Sequence, residues 1–243
     1  MKFRYSILIL IVFMTLVISL IPMRLISSYL NNFEDVAIEN SQGKWWSGQL
    51  INVYLGSNKI GDIDLNLNPF YLFVGSIEFS INILSDELEI NGRVNQSILG
   101  TTSFKKIDFK IDALNSFIKG KPMPQALSSL NGRIEYFKFN NNGCISASGT
   151  ATGEVIDVLG IFRRNLSILA DIECVEADLM INFYSQKEGA LEGEIIISPD
   201  YRYVLEARSK SLTSKIKEIT KLNINQTPTI RSSGSIIDLL ESL

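Results

Sequence analysis

The chain of 243 residues contains no histidine. That removes Ser-His-Asp and Cys-His catalysis, together with every metal site built on imidazole. Cysteine is nearly as scarce, with only Cys144 and Cys174. Two thiolates without histidine leave too few soft ligands for a structural zinc. There is no basic surplus either, the formal charge being −3, so nucleic-acid binding is disfavoured. Carboxylate pairs and Ser-Lys dyads remain open to this composition, but no motif points to one.

Long apolar runs are missing as well, with one exception. Tyr5 to Met23 is apolar almost throughout and lies between Lys2/Arg4 and Arg24. At 1.5 Å per residue it measures roughly 28 Å, against ~30 Å for the hydrocarbon core of a bilayer. A cleaved signal peptide has a shorter apolar region and an Ala-x-Ala-like exit. Here the exit is Ile21-Pro22-Met23-Arg24. The run therefore reads as a retained single-pass anchor, with Pro22 at its end. The excess of positive charge on its N-terminal side predicts a cytoplasmic N-terminus and an exported remainder.

An even cysteine count in an exported chain points to a disulfide. Two buried free thiols are the alternative. No cofactor is expected. The anchor has no Gly-xxx-Gly pair and predicts no specific dimer.

Beyond the anchor the period changes to two. Ile63, Leu65 and Leu67 alternate with Asp62, Asp64 and Asn66. Ile77, Phe79, Ile81 and Ile83 alternate with Glu78, Ser80 and Asn82. The pattern returns at 88–94, 107–112, 134–136, 179–183, 191–197 and 201–207. Such alternation means strands with one apolar and one wet face. Asn-Gly, Ser-Asp, Asn-Asn-Gly and Pro-Asp clusters separate them as turns. Tyr136-Phe137-Lys138-Phe139 shifts the alternation by one, as a bulge does.

The expected fold is mainly β: an N-terminal transmembrane helix, then an antiparallel, meander-like curved sheet or groove with one or two short covering helices. The helices are expected at Pro122–Leu130 and Ser211–Leu222. The segment Ile236–Leu240 reads as a last strand or a short helix. Lys105-Lys106, Arg163-Arg164 and the acidic Asp86, Glu87 and Glu89 read as solvated charges.

Residues 43–48, Gly-Lys-Trp-Trp-Ser-Gly, open the domain; Asn68-Pro69 closes a strand; Cys144-Ile-Ser-Ala147-Ser-Gly149 is followed by Cys174. This ordered set resembles the type II secretion system protein N family. Gly43, Trp46 and Gly48 match its G-x-x-W-x-G stretch, Pro69 its (S/N)-P, and Cys144, Ala147, Gly149 and Cys174 its C-x-x-A-x-G motif with a second cysteine. The match is loose after Asp200. The resemblance implies a non-enzymatic accessory subunit held in the bacterial inner membrane, with a periplasmic domain presented to the platform proteins of the machine. The family also looks like a small relative of AsmA-type β-grooves. That kinship makes a lipid-binding or lipid-transfer groove the alternative.

The resulting organisation is 1–24 for cytoplasmic end and anchor, 25–35 for a juxtamembrane connection, and 36–243 for the periplasmic domain. Trp46 is expected as a core or sheet-end anchor. Trp45, with Phe79 and Ile181 on the apolar face, is the candidate contact for partner or lipid.

Overall fold

The computed structural model describes residues 5, 9, 10, 13, 16, 17, 19–33, 35–56, 58–112, 127–155, 166–186, 191–209 and 229–235. The period-two segments become strands: β1 Val36–Lys44, β2 Ser47–Leu55, β3 Asn58–Asn68, β4 Ser76–Leu84, β5 Leu88–Ser97, β6 Thr102–Asp112 and β7 Leu127–Asn140. They continue as β8 Gly143–Val155, β9 Leu166–Val175, β10 Asp178–Ser185, β11 Glu192–Ile197, β12 Arg202–Arg208 and β13 Thr229–Ser235. All 13 pair antiparallel in chain order, so the sheet is an uninterrupted open meander.

The register turns local alternation into sheet-wide rows. One row runs Ile63–Ile83–Ile90–Phe109–Gly132–Ala151 and on through Ala170, Phe183 and Gly193 to Ala207. A second contains Leu67, Phe79, Val94, Phe104, Phe137 and Ala147. Between them on the opposite face runs Asp64–Asn82–Asn91–Asp108–Arg133–Thr150–Asp171–Asn182. Opposite neighbours of like polarity are the pairwise unit of sheet stability, at roughly 0.2–1 kcal/mol each. The expected slip in β7 is present as a register shift between Ile134 and Tyr136.

The described core sits at the start of the sheet. A short helix, α1 Met23–Leu30, lies on β1 and β2 and buries Met23 and Ser27. Met23 packs with Ile38, Leu50 and Val53, flanked by Leu30, Ile63 and Leu65. Full burial of a side chain of that size is worth about 1.5–3 kcal/mol. Asn31 follows α1 and completes the edge of β1: its Nδ2 donates to Ile38 O at 3.1 Å and its Oδ1 accepts from Ile38 N–H at 2.7 Å.

The segment 25–35, expected as a juxtamembrane connection, holds most of α1, which Pro22 N-caps. Residues 127–130 of the expected 122–130 helix are strand, because the backbone of Leu127 pairs with Val155; residues 122–126 lie outside the described residues. The expected helix at Ser211–Leu222 and the Ile236–Leu240 segment also lie outside them. Among the described residues the helix that lies on the sheet is α1. Among the described residues no helix is long and apolar enough to cross a membrane.

Candidate functional site

The β1–β2 hairpin carries Gly43, Trp45, Trp46 and Gly48. Gly43 pairs with Gly48 across it. Gly43 has φ +85, and a Cβ there would lie 2.6 Å from Ser47 O. The turn thus needs glycine for conformation and for space. At Gly48 a Cβ would come within 3.0 Å of Met23 Cγ, so the absence of a side chain lets α1 close on the sheet. Trp46 Nε1 donates to Ser19 O at 3.0 Å, and Trp45 N–H to Ile21 O at 3.1 Å. Pro22 forms a bridge with Lys44, whose Nζ lies 5.5 Å from the centre of the Trp46 ring. The segment leading out of the apolar run is therefore bonded directly to the sheet end.

Trp46 is the exposed ring and Trp45 is half-buried. Trp46 works as a sheet-end fastener through its indole N–H, and both rings share one end of the sheet. Phe79 and Ile181 lie on the apolar face, both partly buried. They stand several strands apart, so the structure does not bring them together with the hairpin.

Pro69 opens a 3-10 helix, Pro69–Val74, at the end of β3. Asn68 Oδ1 accepts from Phe70 N–H at 3.3 Å, so the Asn-Pro pair is a cap. Beside it Glu78 is 3% exposed. One of its carboxylate oxygens accepts from Asn68 Nδ2 at 3.3 Å; the other has no hydrogen-bond partner among the described residues.

Cys144 and Cys174 form a disulfide between β8 and β9, with Cα atoms 5.7 Å apart. Phe139, opposite Cys144, stacks with Phe137 and Phe104 on the same face. Ala147 is buried opposite Phe137. A Cβ at Gly149 would stand 2.8 Å from Arg133 O, so β7 and β8 approach closely there. These motif residues fasten strands; none is arranged as a reacting group.

The polar face holds an open groove of about 620 Å³ near β1–β5, lined by Gln42, Gln49, Asp64, Asn66, Ser80 and Asn82. Amides and hydroxyls dominate it. No group of three or more acidic or cysteine side chains that could hold a metal ion occurs among the described residues.

A model of the family "Type II secretion system (T2SS), protein N" matches residues 34–222. The chain belongs to this family. Comparison with curated proteins and with solved structures returns no match. Membership in the protein N family makes the chain an accessory component of the type II secretion machinery. The family is not one of known enzymes. Its match begins just ahead of β1 and so covers the hairpin, the Asn68-Pro69 cap and the disulfide. What the sequence did not reveal is Asn31 and the Ser19–Pro22 backbone, whose roles depend on contacts with strands that follow them.

Proposed function

We propose that the chain is a non-enzymatic, inner-membrane-anchored subunit that presents its sheet from the periplasmic side to other platform proteins of the secretion machine. Tyr5–Met23 is its anchor, with the N-terminus cytoplasmic. The observation that supports presentation through the far edge of the sheet is that the near edge is already occupied. The edge of β1 is occupied by Asn31 at Ile38, by Pro22 at Lys44, and by Phe33 O accepting from Val36 N–H. Among the described residues no strand pairs with the outer edge of β13. An open edge is a template for strand addition.

The test is in-cell photo-crosslinking from positions 231 and 233 on β13, with position 40 on β1 as control. Adducts to inner-membrane secretion proteins from β13 alone are expected. Adducts from neither edge, or from β1 alone, would reject presentation through β13. A periplasmic phosphatase fused after residue 243 should be active; an inactive fusion reverses the topology.

The AsmA-like reading keeps one supporting observation, the unbroken apolar face with Phe104, Phe137 and Phe139 stacked at 5.2–6.1 Å between ring centres. Lipid adducts from probes at Phe79 and Ile181, without protein adducts, would favour it.

A further inference from the structure

In an antiparallel meander, alternate turns fall at the same end of the sheet. The β1–β2 hairpin, the Pro69–Val74 turn, the β5–β6 turn and the turns after β7, β9 and β11 therefore share one end. It is the end to which residues 19–22 are bonded.

Composition changes along that end. In the turn after β3, Phe70 is 77% exposed, Phe73 88% and Val74 74%. In the turn after β5, Ile98 is 82% and Leu99 91% exposed. The two turns touch: Ile98 N–H donates to Gly75 O at 3.0 Å. Neither Pro-Phe-Tyr-Leu-Phe-Val nor Ser-Ile-Leu-Gly-Thr contains a charge. The turns farther from the anchor are Asn-Asn-Gly, Glu176-Ala177 and Ser198-Pro199-Asp200-Tyr201, in which the one large exposed ring, Tyr201, sits beside an acid. At the opposite end the turn between β4 and β5 is Ser85-Asp86-Glu87. Large side chains are thus exposed in the turns of the first six strands, where the anchor joins. At ~4.8 Å per strand that stretch spans about 24 Å.

Charge agrees with apolarity. Lys44 lies against the Trp46 ring, and Lys105 Nζ lies 5.9 Å from the centre of the Tyr71 ring. Aromatic rings with flanking lysines and no acid within the two turns, the neighbouring Glu78 being buried, match the interface of an anionic leaflet.

We infer that the turns Pro69–Val74 and Ser97–Thr101 insert into the outer surface of the lipid bilayer from which the anchor emerges, forming a second membrane contact. The occupant is phospholipid: aliphatic and aromatic side chains enter the acyl boundary, and Lys44 and Lys105 face the phosphates. This rests on the reading of Tyr5–Met23 as an anchor. With residues 19–22 bonded to the hairpin, the anchor's exit point and these turns are held at one level. The sheet then stands with its first six strands on the membrane and its later strands lifted clear.

The test uses the full chain, with its native disulfide intact, in liposomes of phosphatidylethanolamine and phosphatidylglycerol. Single cysteines are introduced as Phe73→Cys, Leu99→Cys, Asn142→Cys, Asp86→Cys and Leu10→Cys, each labelled with an environment-sensitive fluorophore. Lipids brominated at shallow or deep acyl positions are the quenchers. Emission at 73 and 99 should shift to the blue and be quenched more by shallow than by deep bromine, as fits insertion of about 5–10 Å. Labels at 86 and 142 should stay unquenched, and the label at 10 should be quenched.

If 10 is quenched while 73 and 99 are not, the anchor stands and the second contact is wrong. If 10 is not quenched, the anchor reading itself fails. A photo-crosslinker at 73 that captures a membrane protein in cells, while 73 stays unquenched in liposomes, assigns the patch to a protein partner and overturns the lipid assignment.

Discussion

Phe109 lies across Gly132, its partner on the neighbouring strand, so closely that a Cβ at Gly132 would clash with Cζ and Cε1 of the ring. The relationship recurs along the sheet. Phe183 covers its partner Gly193, where a Cβ would be 2.6 Å from Cζ. Tyr203 covers its partner Gly234 at 3.0 Å. Large rings are thus accommodated over residues that have no side chain, and the apolar face is covered in part by itself. Gly132→Val should push Phe109 off the sheet and cost about 1–3 kcal/mol, the usual range for overpacking. Thermal unfolding of the detergent-solubilised chain measures it. Unchanged stability would mean that the ring is not held there.

Asn31→Ala removes both hydrogen bonds to Ile38. Leaving that N–H and C=O without a partner costs about 1–3 kcal/mol where water cannot reach them. The variant also opens the edge of β1, so it should self-associate more readily. Unfolding and size-exclusion profiles together check this; a stable, monodisperse variant would contradict it.

Reduction of the Cys144–Cys174 disulfide, or replacement of both cysteines by alanine, should cost roughly 3 kcal/mol on the chain-entropy account. The oxidised chain should also migrate faster than the reduced one on a denaturing gel. Equal mobility, with both thiols open to alkylation, would remove the link.

The hydrogen bond from Arg133, reinforced by its charge, holds the Asp108 carboxyl below its ordinary value of 3.8. A carboxylate whose pKa falls on folding contributes above its unfolded pKa, and loses that contribution as pH drops through the folded one. Both side chains are largely exposed, so the effect on stability at neutral pH should be undetectable. The titration itself is the readout: in an NMR pH series Arg133→Ala should raise the Asp108 pKa. No change would mean that the pair does not form in solution.

Strands β3 and β4 were legible because their apolar residues are large and alternate cleanly, and β10 and β11 because they are dense in large β-formers. Strand β8, Gly-Cys-Ile-Ser-Ala-Ser-Gly-Thr-Ala-Thr-Gly-Glu-Val, was not. Its inward positions are small because the large residues opposite them occupy the space, as Phe137 does at Ala147. Such a strand carries its hydrophobicity on its neighbours. Strand β2 hides its period behind a register shift next to Asn52, which has φ 51. Pro122 and Gln-Ala-Leu read as helix, and pairing between distant segments overrides that local preference from Leu127 onward. At the candidate site, glycine and tryptophan singled out residues 43–48, but their spacing does not reveal that these residues form the turn between β1 and β2. Which ring faces outward was set by residues 19–22, and no spacing within the motif encodes that contact.

The unbroken order β1 to β13 has a consequence for how the molecule is made. Among the described strands, each pairs only with the strands next to it in the chain. As the polypeptide emerges N-terminus first, every new strand meets an edge already laid down, and none has to wait for a distant partner. Loop closure is short at most steps, the longer stretches being those before β7, β9 and β13, and its entropic cost rises only slowly with length. The sheet can therefore grow outward from α1 while its C-terminal half is still being made.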